Sequence, residues 1–247
     1  MPHRRNFMWN LIHVIVYLPL RCWVRTRVIG RENLIDESGG VLIANHQSYL
    51  DPLFVAVRLT RPVSYLARDT LFKVPLIGWI VRNTFVIPIS RTAFRGGSIR
   101  TALQRLENGF LVGIYPEGTR SSGQPSRFKP GFLSLVRRTP VPVYPVAIIG
   151  ADRAMPRGAW FVRPATVTVV YGKPLTEQER ELLNGGEDDR ALAEMMRVKV
   201  AELYRSVTGE SPPDVGEAAG SIAAANSIDP PHSAELPDAA GDPEGTA

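Results

Sequence analysis

A histidine followed five positions later by an aspartate, in Asn45-His46-Gln47-Ser48-Tyr49-Leu50-Asp51, can take a proton and stabilise the charge that results. About seventy residues on, Tyr115-Pro116-Glu117-Gly118-Thr119-Arg120-Ser121 offers an acid, a glycine, a hydroxyl and a guanidinium within one turn. Gly118 lets the backbone approach a ligand. Thr119 adds a hydroxyl, and Arg120 presents a planar fork of donors that matches a phosphate. Together the two segments point to deprotonation of a hydroxyl on a phosphorylated substrate. A third element, Ser90-Arg91, follows an apolar run and could aim a second guanidinium at the same crevice. Each segment has a plainer alternative: Asp51 as a helix cap, 115–121 as a polar turn, Arg91 as a surface arginine.

His46 and Asp51 cannot share one helical face, because a spacing of five leaves them about 140° apart. They meet only if the residues between them turn. Asp51-Pro52 has the form of an N-cap followed by proline at the first helical position, which starts a helix at Pro52 and leaves His46 in the loop before it.

The flanking pattern supports this. Gly40–Asn45 is a buried-strand run ending at the histidine, and 52–59 is helical. Phe85–Ile89 is a second strand, its Pro88 pointing to an edge or a bulge. A helix over 98–108, stopped by Gly109, leads into the strand Phe110–Tyr115, which delivers the Glu117 turn at its end. Strands over 141–149 and 166–171 and an amphipathic helix over 188–206 complete the series. Strands alternating with helices predict an α/β fold: a single domain with a mixed central sheet flanked by helices.

The 247 residues are 44% apolar and 21% charged, ordinary for a globular domain. One cysteine, Cys22, excludes an intrachain disulfide and a cysteine-rich zinc site. The net charge of +5 hides an asymmetry, since from Glu210 onward there are eight acids and no Lys or Arg. The remaining 29 basic and 16 acidic residues leave +13 on residues 1–209. Such a body suits anionic membranes or phosphate substrates. Nucleic acid is not expected, because no zinc-finger spacing, RNP-like run or basic zipper is present.

The N-terminal run Phe7–Leu20 is shorter than a bilayer span and carries Asn10, His13 and Pro19. Trp9, Trp23 and Arg21, Arg25 and Arg27 flank or border it as interfacial anchors would. An interfacial helix is the favoured reading; a helix packed on its own domain and a true span remain the alternatives. From about Thr208 the chain turns to Pro, Gly, Ala, Ser and acids, too poor in apolar residues to fold. The expected organisation is therefore an N-terminal membrane-associated helix (1–24), a catalytic domain (25–207) and a disordered acidic tail (208–247).

In order along the chain, Asn45–Asp51, Ile87–Arg91, Pro116–Ser121 and Val141–Val146 resemble the blocks of the lysophosphatidic acid acyltransferases, the 1-acylglycerol-3-phosphate acyltransferases of glycerolipid synthesis. Phe128-Lys129-Pro130-Gly131 and Tyr171-Gly172-Lys173-Pro174 resemble further segments of that family. Ser90 stands where the family carries an aspartate before the arginine. The resemblance implies a glycerolipid-acyltransferase-like fold and transfer of an acyl group from acyl-CoA or acyl carrier protein to the sn-2 hydroxyl of a lysophospholipid. His46 would be the general base and Asp51 its orienting acid. Arg91, Glu117, Gly118, Thr119 and Arg120 would hold the phosphoglycerol end. No metal or cofactor is implied, and no acyl-enzyme, since Gly-x-Ser-x-Gly is absent and Cys22 lies outside every block. The expected location is the cytoplasmic face of the cell membrane, as a peripheral or monotopic protein. The alternatives are a different lysolipid or glycolipid acceptor, or a non-catalytic membrane-binding module.

Overall fold

Strands form where aliphatic and β-branched residues run together: β1 (Val24–Ile29), β2 (Gly40–Ala44), β3 (Val63–Arg68), β4 (Ile87–Ile89), β5 (Leu111–Ile114), β6 (Val143–Ile149) and β7 (Ala165–Tyr171). They build one sheet in the order β1-β7-β6-β2-β5-β3-β4. Every neighbouring pair is parallel except β6 with β7, so the sheet is mixed, as the sequence predicts. This computed structural model describes residues 11, 14–15, 23–35, 38–59, 61–73, 78–79, 81–82, 84–89, 96–185 and 188–210. The run 7–20 lies outside them apart from Leu11, Val14 and Ile15, as do Arg91 and the tail beyond Glu210.

The central strands are apolar throughout because both their faces are covered. β2 sends Val41 and Ile43 to one core and Leu42 and Ala44 to the other. β6 divides likewise, with Val143, Ala147 and Ile149 on one side and Tyr144, Val146 and Ile148 on the other. The helices are α1 (Asp51–Ala56), α2 (Gly96–Glu107), α3 (Leu133–Val136), α4 (Ala151–Ala154), α5 (Glu177–Asn184) and α6 (Asp189–Thr208). α6 lays Leu192, Met196, Val200 and Tyr204 on the first core, a helical repeat of apolar positions. α1 and α4 bring Phe54, Val55, Ala151 and Ala154 to the second. Gly209, at φ 70°, closes α6 in the left-handed conformation that favours glycine.

Five elements escape the sequence patterns: β1, β3, α5 and the single-turn helices α3 and α4, which are too short to show a helical repeat. β1 alternates arginine with aliphatic residues because it is an edge strand, with Val24 buried and Arg25 and Arg27 exposed. β3 carries Ser64 and Tyr65 within its buried stretch and so lacks a clean apolar run. α5 is mostly polar and is held at its start by a capping box between Thr176 and Glu179. Pro88 does sit on an edge strand, β4, where its missing N–H costs no ladder bond.

Candidate active site

β2, β5 and β6 run parallel, so their C-terminal ends share one edge of the sheet, where α/β folds collect their ligands. β2 delivers the His46 loop to that edge and β5 delivers the Glu117 turn. The loop is tied down by side chains. Asn45 is fully buried and exchanges two hydrogen bonds with Ile148 of β6, accepting from its N–H at 2.7 Å and donating to its carbonyl at 2.8 Å. Gln47 donates to the Gly123 carbonyl and accepts from the Ala151 N–H.

The five-residue spacing closes because the chain turns over Tyr49 and Leu50, with the Asp51 N–H donating to the Ser48 carbonyl at 3.3 Å. Asp51 is the first residue of α1, with Leu50 in the cap position, so the helix starts one residue earlier than the sequence predicts. Its carboxylate does not cap α1. Instead one oxygen, Oδ2, looks back and accepts the Gln47 N–H at 2.7 Å and the Ser48 N–H at 2.9 Å, and lies 2.7 Å from His46 Nδ1. An oxygen already accepting two amide hydrogens faces the ring as an acceptor, so Nδ1 carries the proton and Nε2 keeps its lone pair. Asp51 is fully buried, and burial outweighs the His46 hydrogen bond and charge to hold its carboxyl above the usual range.

Tyr115 stacks on the imidazole at 4.6 Å between ring centroids, and Tyr65 stacks behind Tyr115. The Tyr65 hydroxyl donates to the Pro52 carbonyl, fastening the stack to α1. Burial raises both phenols well above their ordinary range, so the stack stays neutral.

Glu117 is only 3% exposed and its carboxylate is fully engaged within the protein. Oε1 accepts the His46 backbone N–H at 3.0 Å, while Oε2 accepts the Ser121 and Ser126 hydroxyls. The Ser121 N–H returns a bond to the His46 carbonyl at 2.8 Å. Glu117 therefore joins the two loops. Removing it strands the part-buried His46 amide and the Ser121 and Ser126 hydroxyls, so Glu117→Ala should cost about 3 kcal/mol of unfolding free energy. Urea denaturation measures this, and a loss below about 1 kcal/mol would refute the clamp.

Gly118 takes φ +68°, and a Cβ there would stand 3.1 Å from Lys129 Nζ. Thr119 is exposed and its hydroxyl donates to the neighbouring Arg120 carbonyl, at 3.3 Å. Arg120 lies 3.6 Å over the Tyr49 ring, and its Nη1 is shielded from solvent without a hydrogen-bond partner. Arg68, at the end of β3, reaches the Gly118 carbonyl at 3.5 Å. Three cations thus surround one glycine turn. Of these the sequence pattern singles out only Arg120; the run Val63–Ala67 ending in an arginine is the signal for Arg68, and Lys129 lies in a segment noted without a role. The predicted Arg91 falls outside the described residues. Among the described residues no three His, Cys, Asp or Glu side chains converge as metal ligands.

The α/β sheet thus presents a histidine–aspartate pair and a cationic glycine turn at one edge. Residues 25–149 match the family model Acyltransferase, and the chain belongs to that family. It is similar to a chloroplastic 1-acyl-sn-glycerol-3-phosphate acyltransferase of Arabidopsis thaliana, 27% identical over 187 residues, covering 74% of this chain and 52% of the relative. A 1-acyl-sn-glycerol-3-phosphate acyltransferase of Bacillus subtilis is 28% identical over 199 residues, covering 80% of this chain and 96% of the relative. The chain spans about half the length of the plant plastid relatives it matches. Its fold is like that of PlsC, the 1-acyl-sn-glycerophosphate acyltransferase of Thermotoga maritima, with a TM-score of 0.62 at 23% identity over 85% of this chain and 86% of that one.

Proposed function

We propose that this protein transfers an acyl group from an acyl thioester, acyl-CoA or acyl carrier protein, to the sn-2 hydroxyl of 1-acyl-sn-glycerol-3-phosphate, giving phosphatidic acid. The observation that carries the reading is the His46 imidazole, its Nδ1–H bound to Asp51 and its Nε2 lone pair left to accept a proton. Nε2 takes the proton of the acceptor hydroxyl as its oxygen attacks the thioester carbonyl. The carbon–sulfur bond breaks, and the departing thiolate takes the proton back from the imidazolium, leaving ester and free thiol. Asp51 holds the ring and its charged form. Arg120 binds the acceptor phosphate through the fork whose Nη1 lacks a partner, with Arg68 and Lys129 beside it. Glu117 is a positioning residue. The reaction takes place at the cytoplasmic face of the cell membrane, a setting supported by the +13 charge on residues 1–209.

The test is an assay of free thiol and phosphatidic acid with an acyl-CoA and a lysophosphatidate. Arg120→Lys keeps the charge and loses the fork, so acceptor KM should rise roughly tenfold while thioester KM holds. A rise confined to thioester KM would mean the two sites are exchanged. Equal turnover of a lysolipid whose phosphate is a diester would refute the acceptor assignment.

A further inference from the structure

The sheet edge that carries His46 also carries the most exposed aromatic side chains among the described residues. β6 leaves the sheet at that edge, and α4 and the loop 155–164 return the chain into β7, whose first residue, Ala165, pairs with Val24 of β1. Trp160 on this loop is 97% exposed and Phe161 66%. Trp23, just before β1, is 56% exposed and donates its indole N–H to the Val162 carbonyl at 2.7 Å, fixing it to the same loop. The Ser48 hydroxyl donates to the Met155 carbonyl, so the loop also adjoins the His46 segment.

Scattered surface aromatics need no explanation, but a cluster of this kind does. Its charge says what it faces. Arg157 and Arg163 are exposed beside it, the Arg163 guanidinium 5.9 Å over the Phe161 ring, and no Asp or Glu occurs from 153 to 176. Tryptophan and phenylalanine tips set between arginines match the boundary between acyl chains and anionic headgroups.

We propose that the loop 155–164 and Trp23 form a docking surface for an anionic lipid bilayer, which presses the His46 edge against the membrane. The acceptor hydroxyl then meets the imidazole while its acyl chain stays in lipid. This purpose rests on the proposed acyl transfer; the docking itself does not.

The test uses the full chain and phosphatidylcholine vesicles with or without phosphatidylglycerol. W160S/F161S should lower partition into mixed vesicles about tenfold, because buried apolar area drives that term. R157A/R163A should lose the preference for phosphatidylglycerol, about fivefold per arginine, and keep its binding to neutral vesicles. Both should retain kcat on a short-chain soluble acceptor and an unchanged melting temperature. A variant with Trp9, Trp23 and Trp79 changed to Phe isolates Trp160, whose emission should be quenched by brominated acyl chains whatever the N-terminal run contributes. Unquenched emission overturns the proposal. So does W160S/F161S that binds vesicles normally but sediments at a lower mass, which would make the patch a contact between copies. If His46→Ala stays active yet docking behaves as stated, the chemistry is refuted and the surface stands.

Discussion

His46→Ala should lower kcat by about 10³-fold and leave the unfolding transition where it is. The magnitude follows from the role: a positioned base contributes during proton transfer and little to substrate binding, so KM for both substrates should hold. Stability is spared because the backbone bonds of residue 46, from its N–H to Glu117 and to its carbonyl from Ser121, do not need the ring. What is lost is a half-buried imidazole stacked on Tyr115 and its bond to Asp51 Oδ2, an oxygen that keeps the Gln47 and Ser48 N–H donors. Steady-state assay beside a thermal melt decides the matter. Wild-type turnover in a folded variant would end the assignment of His46 as base.

Asp51→Asn separates geometry from charge. All three of its donors converge on Oδ2, and Oδ1 is buried with no hydrogen-bond partner. An asparagine oxygen in the Oδ2 position keeps every one of these bonds and places its amide where Oδ1 stood, so the loop should persist. The charge that stabilises the imidazolium is gone, and kcat should fall by about 10²-fold. Stability should move the other way. Burial raises the carboxyl in the folded protein above its unfolded value, so its contribution is complete below the ordinary carboxylate range and is lost as pH rises through the raised folded value. The melting temperature of Asp51→Asn should therefore gain on the wild type as pH climbs above the ordinary carboxylate range. An asparagine variant whose stability relative to the wild type does not rise with pH would show that the attraction of His46 outweighs burial. One that keeps its rate would reduce Asp51 to a structural tie.

Much of this was legible because it is local. Alternating apolar runs and caps are short-range signals, and they suffice for a mixed α/β sheet and for the strand-to-loop junctions at Ala44 and Ile114 that carry both motifs. The His46–Asp51 spacing demands a turn, and the turn is there. Pairing between distant segments was not legible, since no local pattern encodes which strands become neighbours. β3 lies beside β5 although 42 residues separate Arg68 from Leu111, the start of β5, and that adjacency brings Arg68 to Gly118. The same topology turns Glu117 inward to the His46 amide, where the sequence alone assigns it to substrate. It also stacks Tyr115 on the His46 ring and sets the loop 155–164 at the same edge of the sheet. The sequence by itself determined which groups could do the chemistry; the order of strands in the sheet decided which of them meet at one edge and which hold the others still.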